Sequence, residues 1–224
     1  MNIFVKRTLS GAVFVAIMLA GLLINKWLFG LLVSLMAAGM LYEYLRVPEQ
    51  SGTHKFIGVI YILIGLVALN ALAFLDGNWS GIPVLCIFIM IWGTDVGGYC
   101  IGSSLGKKFC SGKIAPGISP NKTWAGFWGG LVCCVAAAVI LSITGLLGLS
   151  VILAVILGIV VHFSAVTGDL IESMWKRRVG IKDSGTIIPG HGGLLDRFDS
   201  TILAADAAWV FFLIYKIASG ALVC

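Results

Sequence analysis

The chain is 224 residues long, 59% of them hydrophobic and only 11% charged. A soluble domain carries about 25% charged residues, and a globule of this size cannot hide such an apolar surplus, so the composition excludes a soluble domain and requires lipid. The net charge of +5 comes without a basic surface interleaved with aromatics, which points to positive-inside loops and an anionic leaflet or substrate, and away from nucleic acid.

A helix needs about 20 apolar residues, within a range of about 17–25, to cross the hydrocarbon core. Runs of this kind fall at Leu9–Ile24, Trp27–Leu45, Phe56–Leu75, Ile82–Ile101, Trp124–Thr144, Leu146–Val166 and Thr201–Ala218. The first follows Lys6 and Arg7 and has the outline of a secretory signal. No small-residue cleavage site ends it, so it reads as a retained span. The fifth and sixth are joined by a turn at Gly145. Backbone in lipid must satisfy its own hydrogen bonds, so these runs are helices. The expected fold class is all-α: a polytopic membrane helix bundle of about seven transmembrane helices with two cytoplasmic motif loops. It forms one membrane-embedded domain, 1–224, with N-terminal spans in 1–80 and the chemistry in 81–224.

Lys and Arg positions set the orientation. Lys6 and Arg7 precede the first span, Arg46 and Lys55 follow the second, and Lys107, Lys108, Lys113 and Lys122 follow the fourth. Lys176, Arg177, Arg178, Lys182 and Arg197 follow the sixth. With the N-terminus inside, all of these face the cytoplasm, and only Lys26 and Lys216 fall toward the other side. Both long polar segments, Gly102–Asn121 and Gly168–Ser200, therefore share the cytoplasmic side. Of the six cysteines, Cys86, Cys100, Cys133, Cys134 and Cys224 lie in or beside apolar runs and Cys110 in a basic loop. They read as small hydrophobes without metal or disulfide spacing.

The chemistry concentrates in Gly168–Asp199, where five acids, five Lys/Arg and one His lie between apolar spans. Charges at a membrane boundary are costly unless paired, hydrated or bound to an ion. If the sixth span continues as a helix, Asp169, Glu172, Ser173 and Lys176 share one face. If the last helix begins near Leu194, Asp196 and Asp199 share another. Carboxylate oxygens suit Mg²⁺, and the neighbouring Lys and Arg suit phosphate oxygens. The intervening Pro189-Gly190-His191-Gly192-Gly193 permits positive φ and close approach of backbone N–H groups to an anion. Upstream, Ser119–Thr123 reads as a helix start, with Ser119 as N-cap, Pro120 at the first position, and Lys122 and Thr123 near the positive end. Asp95 is an acid inside a span. Asp206 lies in the last span, on the face of Asp199, either extending the polar lining or bonding a neighbouring helix. His162 reads as a buried histidine with a partner.

The run Gly168-Asp169-Leu170-x-Glu172-Ser173-x-x-Lys176-Arg177, then Lys182-Asp183-Ser184-Gly185, then His191-Gly192-Gly193-x-x-Asp196-Arg197-Phe198-Asp199 resembles the signature of the phosphatidate cytidylyltransferases. Asp95-x-x-Gly98-Tyr99, Gly102, Gly106-Lys107 and Ser119-Pro120-x-Lys122-Thr123-x-x-Gly126 resemble the family's upstream motif. Ala125 stands where the family commonly has an acid, Gly98 where it has Ala, and Trp175 where it has an aliphatic residue.

The resemblance implies transfer of CMP from CTP to phosphatidic acid, giving CDP-diacylglycerol and pyrophosphate. It implies a Mg²⁺-dependent centre with room for a K⁺ beside it, a bacterial-type cytoplasmic membrane, and a homodimer. Asp169 and Asp196 would hold the metal, with Asp199 and Asp183 as further ligands or acceptors. Lys176, Arg177, Lys182 and Arg197 would contact phosphate, and His191 would organise the loop or donate to phosphate. Ser119, Lys122, Thr123, Asp95, Ser184, Gly192 and Gly193 would bind substrate. Two other readings stay open on the sequence: a CTP transferase acting on an ether-lipid phosphate, and an ion transporter with a cation path along Asp95, Asp169, Asp196 and Asp206.

Overall fold

The computed structural model describes residues 3–47, 52–105, 112–188 and 192–220. Its described residues form seven helices: α1 Ile3–Leu23, α2 Lys26–Arg46, α3 Gly52–Ala73, α4 Ile82–Leu105, α5 Trp124–Ile143, α6 Val151–Arg178 and α7 Leu195–Ala218. Six of them, α2 to α7, are long and apolar enough to cross a membrane, and α1 carries a shorter apolar stretch, Gly11–Leu23. The protein is an integral membrane helix bundle, as its hydropathy requires.

Local sequence chemistry starts and stops these helices. Asn25 caps α2 by accepting from Leu28 N at 2.9 Å, and Ser150 caps α6 by accepting from Leu153 N at 3.5 Å. The last residue before Pro48, Val47, is extended, where the proline ring disfavours continued helix. Gly145 and Gly148 take φ of +78° and +64° in the turn between α5 and α6, so α6 begins at Val151, not at Leu146. At the other end α6 continues past the apolar run to Arg178, and α7 begins at Leu195, not at Thr201. The polar residues flanking both spans are therefore helical.

One expectation is corrected. Ser119–Thr123 is not a helix start but β2, paired antiparallel with β1, Lys113–Ala115, in a two-stranded hairpin. Both strands are edges, and an edge tolerates Pro120 because the missing N–H costs no central ladder bond. The helix cap falls four residues later: Thr123 is extended and its Oγ1 accepts from Gly126 N at 3.1 Å, opening α5.

Glycines set how closely the helices meet. A Cβ on Gly102 would lie 3.2 Å from Gly126 Cα, and one on Gly126 would lie 2.8 Å from the Gly98 carbonyl, so α4 and α5 pack backbone to backbone. A Cβ on Gly168 would lie 2.5 Å from the carbonyl oxygen of Asp199, which brings α6 and α7 together at their polar ends. On the far side of the bundle Lys216 meets the Leu75 carbonyl and the Asp76 carboxylate, the latter at 2.8 Å. At the near end, Arg177 of α6 donates to the Ile118 carbonyl beside β2 at 3.3 Å, so both motif segments share one end of the bundle.

A Cβ on Gly65 of α3 would sit 3.0 Å from both Cα and the carbonyl oxygen of Ile202 in α7. Gly65→Val should therefore overpack this contact and destabilise the bundle by about 1–3 kcal/mol. A lowered Tm in detergent checks this; an unchanged midpoint would show that α3 and α7 separate at little cost.

Candidate functional site

The site is built on the polar ends of α6 and α7. On α6, Asp169 and Lys176 project from one face, with Ser173 Oγ donating to Asp169 Oδ1 at 3.1 Å. Lys176 is buried and ion-pairs with Glu172 one turn back and with Asp196 of α7 at 2.7 Å. A buried ion pair stands only where the remaining lone pairs are also satisfied. Asp196 meets that condition: it accepts from Ser184 N at 2.9 Å and from Gly193 N at 2.8 Å, so both of its oxygens are taken.

A second carboxylate secures the same loop from outside. Glu43 of α2 is 3% exposed and accepts from Leu194 N at 3.0 Å, Leu195 N at 2.9 Å and Ser184 Oγ at 3.1 Å. These are orphan donors at the start of α7, capped here by a side chain from a distant helix. Gly193 passes between the two acids, where a Cβ would strike Ser184 Oγ and Glu43 Oε2. Gly192 has φ of +86°, a conformation that favours glycine, and accepts from Ile188 N at 3.1 Å. The sequence reading missed Glu43. Its signal was an acid within an otherwise apolar helix, in Leu41-Tyr42-Glu43-Tyr44.

The second motif segment meets the first across a cavity of about 450 Å³. Its polar lining includes Asp95, Asn121, Lys122, Thr123, Asp169 and Ser200, with Thr94 and His162 also contributing. Lys122 of β2 pairs with Asp169 of α6 at 2.6 Å, and Thr123 is the cap of α5. The cavity thus offers a cation, two carboxylates and a helix N-terminus, a combination suited to a phosphate chain. His162 is fully buried; its Nδ1 lies 3.3 Å from Thr94 Oγ1, while its Nε2 has no partner among the described residues.

The remaining site residues divide by position. Arg177 is exposed and holds the Ile118 and Ile181 carbonyls, bracing the hairpin against α6. Lys182 and Asp183 are exposed on the α6–α7 loop, and Ser119 lies in β2. Asp199 accepts from Ser200 N at 2.6 Å and lies within electrostatic reach of Asp169 and Asp95. Arg197 is exposed and has no ion-pair partner among the described residues. Asp206 does not line this cavity. His191 lies outside the described residues, as do Gly106 and Lys107.

No cluster of three His, Cys, Asp or Glu side chains close enough to hold a metal occurs among the described residues. Magnesium asks for less: one or two carboxylates, with waters and substrate phosphates completing the octahedron. Asp95 and Asp169, lining one cavity, fit that need. Asp169 keeps acceptor capacity on each oxygen beyond its single contacts with Ser173 and Lys122, whereas Lys176, Ser184 N and Gly193 N crowd both oxygens of Asp196.

The sequence profile described as the cytidylyltransferase family matches residues 54–215, from the start of α3 to near the end of α7. The chain belongs to this family. Among curated relatives, a phosphatidate cytidylyltransferase of Rickettsia felis is 38% identical over 219 residues, covering 95% of this chain and 92% of the relative. Proteins of the same description from Mycobacterium bovis and Staphylococcus epidermidis are 44% and 39% identical over 133 and 138 residues. The chain spans 42% of the mycobacterial relative and 52% of the staphylococcal one. The family match takes in α3 to α7 and with them Asp95, Lys122, Asp169 and the α6–α7 loop; Glu43 precedes it.

Glu43→Ala should leave two buried N–H groups and a hydroxyl without an acceptor, at about 1–3 kcal/mol for each group that water cannot reach. Amide hydrogen exchange at Leu194 and Leu195 should accelerate accordingly. Exchange as slow as in the wild type would show that another acceptor takes over.

Proposed function

We propose that this chain transfers CMP from CTP to phosphatidic acid, giving CDP-diacylglycerol and pyrophosphate for phospholipid synthesis. The observation that carries the reading is the Lys122–Asp169 pair, which joins the two family motifs across a single cavity at one end of a membrane bundle. A water-soluble nucleotide and a lipid anchored by its tails can meet only at such a boundary. The similarity to proteins described as phosphatidate cytidylyltransferases supports the same substrates.

In this reaction an oxygen of the lipid phosphate attacks the α-phosphorus of CTP. A P–O bond forms there as the α–β bridge breaks and pyrophosphate leaves with the electron pair. The attacking group is already an anion, so no general base is needed. The protein's task is to align two phosphates and offset their charge. Lys122 and the α5 N-terminus at Thr123 receive the triphosphate, and Arg197 receives the lipid phosphate. Lys176 and Asp196 keep the α6–α7 loop in place, and Ser184, Gly192 and Gly193 present backbone within it. Asp169 and Asp95 would hold Mg²⁺, with Asp199 beside them, while Asp196 serves the loop. When bound, Mg²⁺ would neutralise the triphosphate and orient its α-phosphorus. A K⁺ beside it, a homodimer and a cytoplasm-facing site in a bacterial inner membrane belong to the same reading. The last is supported by the Lys and Arg bias toward the motif-bearing end.

Purified protein in detergent, given CTP, dioleoyl phosphatidate and Mg²⁺, should form CDP-diacylglycerol, and EDTA should stop it. Lys122→Met should lower kcat/KM for CTP by about 100-fold, the scale expected for one lost charge-assisted phosphate contact. Undiminished turnover in EDTA would refute the metal dependence, and absence of product under all conditions would refute the reaction.

A further inference from the structure

The nucleotide cavity has two neighbours that could take lipid. The larger, about 430 Å³ between α2, α3, α6 and α7, shares no lining residue with the nucleotide cavity. The α6–α7 contact at Gly168 and Asp199 stands between them. The smaller, about 120 Å³, lies between α1, α4 and α7 and shares Asp95 and Ser200 with the nucleotide cavity. Its wall is apolar, built from Phe14, Val15 and Met18 of α1 with Phe88 and Trp92 of α4, and its polar end carries Arg197 together with Asp95, Asp196 and Asp199.

Resting on the function proposed above, we infer that the acceptor lipid enters through the α1–α4–α7 groove. Its phosphate monoester sits at Arg197 and its acyl chains lie along the α1–α4 wall. Two observations converge on this route. Arg197 forms no ion pair of salt-bridge length among the described residues, though Asp95 lies within its electrostatic reach, and it stands where an apolar wall ends, so it can meet an anionic headgroup on a hydrocarbon tail. The acids at that end do not forbid it: Lys176 and two backbone N–H groups already neutralise Asp196, and the divalent cation of the proposed reaction offsets Asp95 and Asp199.

The second observation is α1 itself. It is anchored at the end far from the site, where Leu22 is buried and its carbonyl lies against Gly81. Nearer the site it rests on α7 through the edge-on contact of Phe14 with Phe198, ring centroids 5.9 Å apart. Its outer face is bare, with Val13 and Ile17 each 50% exposed. A helix held firmly at one end and by an aromatic edge near the other is suited to line a lateral opening, where a tail can slide in while its headgroup stays at the boundary.

Two measurements on the full chain in lipid nanodiscs test the route. Val15→Trp, at a half-exposed position, fills the groove mouth and should raise KM for phosphatidate about fivefold or more, leaving KM for CTP within about twofold. Met174→Trp, which fills the larger cavity, should change neither. Separately, phosphatidate bearing a diazirine on its acyl chain should label α1 and α4, in competition with unlabelled phosphatidate, whether or not turnover is observed. Labelling confined to α3 and α6, or a lipid KM raised by Met174→Trp and not by Val15→Trp, would overturn the route. Absence of CDP-lipid from the wild type, with α1 labelled, would instead sink the reaction and keep the groove.

Discussion

The carboxylate of Asp196 and that of Glu43 together close the loop between α6 and α7, and the geometry of the site depends on this closure. Asp196 takes Lys176 and the backbone of Ser184 and Gly193; Glu43 takes the N–H groups of Leu194 and Leu195, where α7 begins, and the hydroxyl of Ser184. Ser184 is held by both, through its N–H and its hydroxyl. In a low-dielectric setting an acid without such partners would be expelled or neutralised, so full satisfaction is the condition for keeping two buried carboxylates side by side. With the loop fixed, Asp169 and Asp199 are held at the mouth of the bundle, where substrate charge can be met.

Glycine has a second role apart from loop conformation. Gly98, Gly102 and Gly126 let α4 and α5 touch along their backbones, and Gly168 lets α6 receive the α7 backbone at Asp199. Without a hydrophobic drive between helices in lipid, this close contact is a principal source of association. It also brings Asp95, on α4, within electrostatic reach of Asp169, on α6. The glycines of the family signature are therefore as much about helix spacing as about approach to phosphate.

Much of this was legible in the sequence because it is local. Runs of apolar residues must be helices in a bilayer, and the face shared by Asp169, Glu172, Ser173 and Lys176 was conditional on the sixth span continuing as a helix, which α6 does as far as Arg178. The placement of both motif segments at one end follows from counting spans. The hairpin at Lys113–Thr123 was not legible: Ser-Pro before a polar turn reads equally well as a helix cap, and pairing with Lys113–Ala115 decides otherwise. The actual cap, Thr123, is as good an N-cap residue as Ser119, so residue type could not choose between them.

The acids show where sequence ends and tertiary structure begins. The sequence alone determined that this is a membrane bundle, that carboxylates and cations cluster at one boundary, and that they stand in a phosphate-handling pattern. Those properties rest on composition, periodicity and short spacings. Only the fold decided which acids are engaged and which face a cavity: Asp196 is consumed by the loop, Asp169 meets Lys122, and Glu43 reaches a backbone 151 positions away. A carboxylate's chemistry is set by what lies within a few ångströms of it, and in a helix bundle most of those neighbours come from other helices.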